Sequence, residues 1–178
     1  MDRTELARRI YEAAHLTGTF VLRSGQVSNE YFDKYRFESD PRLLAEIGRH
    51  MKALVPADTT KLAGLEMGGI PLATVLSLET GLPSLFVRKE AKPYGTRQLA
   101  EGGNIAGERL LIVEDVITSG GQVVASGKAL EGLGATIVGV LCVIDRESGG
   151  RDNIKAAGWE MFSLFTKSEL ESARPSPV

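Results

Sequence analysis

The sequence predicts an α/β fold: a central, mainly parallel sheet flanked by helices, with a small hood at the N-terminus. Short apolar runs at 61–65, 84–87, 109–113 and 136–144 have the unbroken hydrophobicity of strands buried on both faces. Stretches at helical spacing, 69–78 and 119–133, follow the first and third of these runs, so that strand and crossover helix alternate. Two of the strand ends run into glycine-rich turns, which is where open sheets of this class bind ligands. The chain has 178 residues, 43% of them hydrophobic, and is expected to fold as one domain over 1–178.

At the N-terminus, Leu6, Ile10 and Ala13 share one face of a helix beginning near Asp2 or Thr4. Phe20-Val21-Leu22 and Tyr31-Phe32 read as two short strands around a polar turn at Gly25. Helix and hood together occupy 1–38, and the α/β core follows over 39–165. Asp40-Pro41 reads as an N-cap followed by proline at the first helical position, and Leu43, Leu44, Ile47, Met51 and Leu54 form the apolar stripe of that helix. About twenty residues between the runs at 84–87 and 109–113 lack apolar periodicity and are rich in Gly, Lys and Arg; loops this long within a domain are usually functional. The tail at 172–178 is polar and proline-bearing, as frayed ends are.

Composition narrows the function. With 25% charged residues and a net charge of -2, bulk charge would not hold the protein on nucleic acid or on anionic lipid, so neither is expected as a partner. Cys142 is the sole cysteine, which excludes a disulfide within the chain and a cysteine-rich zinc site. The first residues alternate charge and apolar character instead of forming a signal peptide, and a cytoplasmic location is expected. His15 and His50, the two histidines, both fall in predicted helices without a partner motif, so Ser-His or Cys-His catalysis has no support.

Chemistry concentrates at the end of the third run, where Leu110-Leu111-Ile112-Val113 leads into Glu114-Asp115-Val116-Ile117-Thr118-Ser119-Gly120-Gly121-Gln122. Glycines let the backbone approach a phosphate closely, and the N–H groups of the turn and of the helix start point at it. The hydroxyls of Thr118 and Ser119 can donate further bonds. Glu114 and Asp115 are acceptors suited either to paired sugar hydroxyls or to a hydrated Mg2+. A second turn of the same kind lies at Gly64-Leu65-Glu66-Met67-Gly68-Gly69-Ile70-Pro71. The long loop carries Arg88, Lys89, Lys92 and Arg97 against one acid, Glu90, a local charge of +3 in a net negative chain. Such a segment suits a lid over an anionic substrate.

The run from Glu114 to Gly121 resembles the phosphoribosyl pyrophosphate (PRPP) signature of the type I phosphoribosyltransferases. The hood run Phe20-Val21-Leu22-Arg23-Ser24-Gly25-Gln26-Val27-Ser28-Asn29-Glu30-Tyr31-Phe32-Asp33, the loop 88–95 and Val143-Ile144-Asp145-Arg146-Glu147 resemble segments of the orotate phosphoribosyltransferases within that family. The resemblance implies the type I phosphoribosyltransferase fold and transfer of a phosphoribosyl group from PRPP to orotate in pyrimidine synthesis, with Mg2+ bound mainly through PRPP and water. It implies that Arg88, Lys89, Lys92 and Tyr94 meet the pyrophosphate. Glu114, Asp115 and the segment from Val116 through Ile117, Thr118, Ser119, Gly120 and Gly121 to Gln122 would hold the ribose 5-phosphate, with Lys92, Glu114 and Asp115 catalytic. Thr118 and Arg146 would read orotate, whose carboxylate and planar amide edges suit a guanidinium. Arg23, Tyr31 and Phe32 would cover the base, although core packing is nearly as good a reading for one of the two aromatics. The resemblance further implies a homodimer with shared sites.

Two positions depart from the pattern. Some family members carry a lysine where this chain has Gly68, which leaves backbone amides to serve there, and a histidine where it has Tyr94, which can donate a hydrogen bond but carries no positive charge near neutral pH. The rival readings are a phosphoribosyltransferase for another base and a nucleotide-sensing regulator that binds without chemistry. Both would keep the 114–121 motif.

Overall fold

In the computed structural model, helix α1 (Arg3–Ala14) starts at Asp2, whose carboxylate accepts a hydrogen bond from Glu5 N at 2.8 Å. The structure describes residues 1–21, 25–90 and 99–174. Leu6, Ala7, Ile10, Tyr11 and Ala14 form the buried face of α1. Strands β1 (His15–Val21) and β2 (Val27–Phe32) pair antiparallel as a separate two-stranded sheet. The hairpin is longer than the pattern at 20–22 and 31–32 predicts, and it places His15 in a strand, not a helix. No residue of either strand is fully buried, so the ladder forms without the apolar alternation that periodicity detects.

Helix α2 (Tyr35–Ser39) is too short to show a period and buries only Phe37 and Glu38. Helix α3 (Pro41–Met51) begins as expected at Asp40, whose carboxylate accepts from Arg42 N and Leu43 N, and ends in a 3-10 turn, Lys52–Leu54.

Next come β3 (Lys61–Leu65), α4 (Gly69–Thr80), β4 (Ser84–Val87), β5 (Ala100–Glu101), β6 (Arg109–Ile117), α5 (Gly121–Gly132), β7 (Thr136–Asp145), α6 (Gly150–Ala156), β8 (Met161–Thr166) and α7 (Lys167–Ser172). The six strands from β3 onward lie in the order β5-β4-β3-β6-β7-β8, all parallel except the short edge strand β5. Alternate residues of β6 serve opposite faces: Leu111 and Val113 join the cluster containing α1, α3 and α4, whereas Leu110 and Ile112 join the one containing α5 and α6. Helices therefore cover both faces, as the apolar runs imply. The face of α1 is buried in the first of these clusters.

Two boundaries differ in ways that matter for function. Strand β6 continues past Val113 through Glu114 and Asp115 to Ile117, because β7 extends alongside it as far as the pairing of Ile117 with Asp145. Helix α5 begins at Gly121, not at 119, because Gly120 has φ 73°, a left-handed conformation outside a right-handed helix. Elements β5, α6, β8 and α7 have no counterpart among the predicted elements. Among the described residues, no helix is long and apolar enough to cross a membrane.

Candidate active site

Because β6 is long, Glu114 and Asp115 sit inside its ladder, and the chain beyond them turns sharply at Thr118, Ser119 and Gly120 into α5. Thr118 and Ser119 are exposed, and the first backbone N–H groups of α5 have no partner within the helix. The turn is braced from behind, with Asn153 Nδ2 donating to Ser119 O at 2.9 Å. Thr118, Ser119, Gly120, Gly121 and Gln122 line a cavity of about 350 Å³ together with Lys34, Tyr35, Glu66, Met67, Lys89, Glu114, Asp115, Val116, Ile117 and Val123. Ile117 is itself buried, so it can offer a ligand little beyond its backbone.

The acids are not simply solvated. The side chain of Asp115 is fully buried; its Oδ1 accepts from Val116 N at 2.5 Å, and its Oδ2 lies 2.6 Å from Lys34 Nζ. A carboxylate oxygen has two acceptor positions, so beside this charge-assisted contact Oδ2 keeps capacity for a second partner. Burial opposes the charge on Lys34, but Asp115 outweighs it and holds the ammonium above the ordinary lysine range. Burial, reinforced by Asp115, pushes the Glu114 carboxyl up to about 9. It also pushes that of Glu38 up to about 8, with the charge of Asp115 again adding to the effect. Three carboxyl groups thus surround one ammonium, and two of them favour their neutral form at neutral pH. Such a cluster suits hydroxyl recognition, since it accepts hydrogen bonds at low net charge.

The turn after β3 closes the opposite wall. Glu66 Oε1 accepts from Lys89 N at 2.6 Å, which ties the basic segment to the turn. At Gly68 a side chain is excluded, since a β-carbon there would overlap Asp115 Oδ2 and lie 2.5 Å from Cγ. The two glycine-bearing turns singled out from the sequence therefore pack against one another through Asp115.

A second cavity, of about 410 Å³, lies beneath the hood and is lined by Tyr31 and Phe32 of β2, by Arg146, and by His15, Glu30 and Lys167 among others. Arg146 is half-buried, and its backbone N donates to Ile117 O at 2.9 Å, which fixes it beside the end of β6. The next residue is anchored too: Glu147 N donates to Asp145 Oδ1, and Glu147 Oε2 accepts from Ser168 N and Oγ at 2.8 and 2.6 Å. Tyr31 is exposed and stacks on Phe20 with centroids 5.4 Å apart, whereas Phe32 packs against the core. Both rings line the cavity, Tyr31 from an exposed position and Phe32 from one packed on the core.

The structure therefore gathers Lys89, Glu114, Asp115 and the segment 116–122 in one cavity, and Arg146, Tyr31 and Phe32 in another. Arg88 faces Glu101, with Nε 3.7 Å from Oε1. Arg23, Lys92 and Tyr94 lie outside the described residues, as do residues 175–178 of the tail. Sequence reasoning missed Lys34 and Glu38, which carry no motif and meet Asp115 only through the placement of α2.

Residues 36–168 match the family model for the phosphoribosyl transferase domain. The chain is 50% identical over 174 residues to an orotate phosphoribosyltransferase of a Nocardioides species, covering 98% of this chain and 97% of that protein. It is 40% identical to that of Methanocella arvoryzae, covering 97% and 99%. Among solved structures it resembles the orotate phosphoribosyltransferase of Mycobacterium tuberculosis in complex with Fe(III) dicitrate, with a TM-score of 0.88, 34% identity and coverage of 96% and 99%. The same enzyme in complex with PRPP superposes with a TM-score of 0.83 at 31% identity, covering 96% and 99%. A sheet with this strand order, an acid pair inside its central strand and near full-length likeness to these enzymes lead to one conclusion, that the chain belongs to the orotate phosphoribosyltransferase family.

Proposed function

We propose that this chain transfers the 5-phosphoribosyl group of PRPP to orotate, giving orotidine 5'-phosphate and pyrophosphate, as a cytoplasmic enzyme of pyrimidine (UMP) synthesis. The observation that carries the reading is the single cavity in which the Glu114-Asp115 pair, the 118–121 turn and Lys89 converge. The 5-phosphate sits on the turn and the N-terminus of α5, where backbone N–H groups and the hydroxyls of Thr118 and Ser119 meet it. Asp115 Oδ2 and Glu114 take the ribose hydroxyls. The bond from the anomeric carbon to the pyrophosphate oxygen breaks as a bond to the orotate ring nitrogen forms, with that nitrogen's proton passing to solvent or to the departing pyrophosphate, so the protein supplies no nucleophile. Its work is to align the two substrates and stabilise the separating charges. Arg88, Lys89 and Lys92 receive the pyrophosphate, Tyr94 adds a hydrogen-bond donor, and the 88–103 loop keeps water out.

Mg2+ bound with PRPP would supply charge neutralisation on the leaving group. Such an ion would need few protein donors, and the half-buried Glu114 in the same cavity fits a role toward its water. Glu114, the less buried of the acid pair, can accept hydrogen bonds from that water. Orotate occupies the hood side, with Arg146 against its carboxylate and Thr118 across the Ile117–Arg146 junction. Arg23, Tyr31 and Phe32 cover the ring.

The deciding assay offers purified protein PRPP and Mg2+ with orotate, uracil, hypoxanthine or adenine in turn. Turnover with orotate alone is expected. Preference for another base, or binding without turnover, would overturn the reading. The active form is a homodimer in which Lys92 reaches the partner's site, and this has its own test. Mixing inactive Lys92→Ala and Asp115→Asn dimers under subunit exchange should restore activity, because hybrids then hold one site with both lesions and one with neither. No recovery despite proven exchange refutes the shared site.

A further inference from the structure

The turn at residues 66–70 offers a diphosphate its backbone amides and no cation. It cannot do otherwise, because Asp115 fills the space that a side chain at 68 would need. A cation nevertheless reaches that spot from elsewhere. Lys34, the residue preceding α2, places Nζ 2.6 Å from Asp115 Oδ2, the atom that excludes a side chain at 68. It lines the same cavity as Glu66, Met67 and Lys89. Helix α2 holds it there, anchored by Phe37, which is fully buried. The side chain of Lys34 is 34% exposed and lines the cavity, and one carboxylate oxygen engages only part of the ammonium's capacity for three donated hydrogen bonds.

Charge makes the position consequential. A diphosphate entering this cavity would approach the Asp115 carboxylate, whose charge repels it, and a cation paired to that carboxylate offsets the repulsion at its source. We propose that Lys34 is a binding residue for the diphosphate of PRPP, delivering from the hood side the cation that the Gly68 turn cannot carry. This rests on the phosphoribosyl-transfer reading above. Before substrate binds, Asp115 stores the ammonium at the cavity wall; with PRPP bound, the ammonium bridges Asp115 and a diphosphate oxygen, and Asp115 Oδ2 stays available to a ribose hydroxyl.

The test is calorimetric binding of PRPP, inorganic pyrophosphate and ribose 5-phosphate, each with Mg2+, to wild type, Lys34→Met, Lys34→Gln and Lys34→Arg, with thermal unfolding to select folded variants. Loss of a charged contact should weaken PRPP and pyrophosphate by about 10-fold or more in Lys34→Met and Lys34→Gln. Ribose 5-phosphate should change by no more than about 3-fold, because the phosphate turn is untouched. Lys34→Arg should recover most of the loss, and in turnover KM for PRPP should rise while KM for orotate holds. Equal weakening of PRPP and ribose 5-phosphate with pyrophosphate unaffected would overturn the proposal and leave Lys34 as a positioning residue for Asp115. Unchanged binding of all three would also overturn it. Wild-type protein that binds PRPP but does not turn over orotate would instead sink the functional reading alone.

Discussion

The two cavities are built by opposite means. The one around Asp115 is set into the sheet: its acids lie within the β6 ladder, its floor is core, and position 68 admits no β-carbon. The one around Arg146 is roofed by a two-stranded hairpin without a fully buried residue. On the function proposed above, the phosphoribosyl group falls to side chains set within the sheet, whereas the base falls to a half-exposed hairpin that can vary at little cost to stability.

Substitutions on the sheet side should therefore cost most. Asp115→Asn keeps the volume but removes the charge that holds Lys34 and replaces an acceptor oxygen, and kcat/KM should fall by roughly 100-fold or more in steady-state assays. A folded Asp115→Asn protein with normal turnover would break the contrast outright. Gly68→Ala tests the steric half of it. The added carbon must displace the Asp115 carboxylate, and KM for PRPP should rise by about 10-fold or more, accompanied by a lower Tm.

On the hood side the expected effects are smaller and fall on the other substrate. Arg146→Ala should raise KM for orotate by about 30-fold, the lower range for truncating one partner of a charged pair, with PRPP binding largely kept. Equal losses for both substrates would merge the two cavities into one functional unit. Tyr31→Ala, which removes an exposed ring stacked on Phe20, should change KM for orotate a few-fold and leave Tm almost unmoved.

The smallest effect is one of pH and belongs to Glu38. Its carboxyl faces Asp115 of β6 and Lys34 and Asp33 from its own stretch of chain, and sits at about 8 when folded against an ordinary 4.5. A raised carboxyl stabilises the fold fully below the unfolded value and loses that contribution as pH rises through the folded one. Glu114, raised to about 9, acts in the same direction, so substrate-free protein should lose stability between about pH 5 and pH 8 in denaturant titrations, and Glu38→Gln, which is neutral throughout, should make that slope shallower without abolishing it. An unchanged slope would remove Glu38 from the acid cluster.

Much of this was legible in the residues. Unbroken apolar runs specify parallel strands because such strands are buried on both faces, and β3 and β4 fall where those runs lie. Asp40-Pro41 placed the start of α3, since capping is a local matter of side chain and adjacent backbone. The acid pair and glycine turn are contiguous in sequence, so their chemistry could be read directly. The hairpin was legible only at its apolar ends, Phe20-Val21 and Tyr31-Phe32, because the rest of its strands are exposed or only half-buried. Helix α2 and the elements after β7, short and placed by contacts with segments elsewhere in the chain, were not legible.

Neighbours along the chain were enough to give the class of fold, the glycine turn after β6 and the adjacency of Glu114 and Asp115 to it, because each is a matter of local order. Only the tertiary structure decided that β6 would run four residues past Val113, since β7 supplies the ladder partners. It alone brought Lys34 and Glu38 to Asp115 and closed position 68 against a side chain. Those relations join residues some thirty to eighty positions apart, and no local pattern encodes which charges will share a cavity once the sheet has formed.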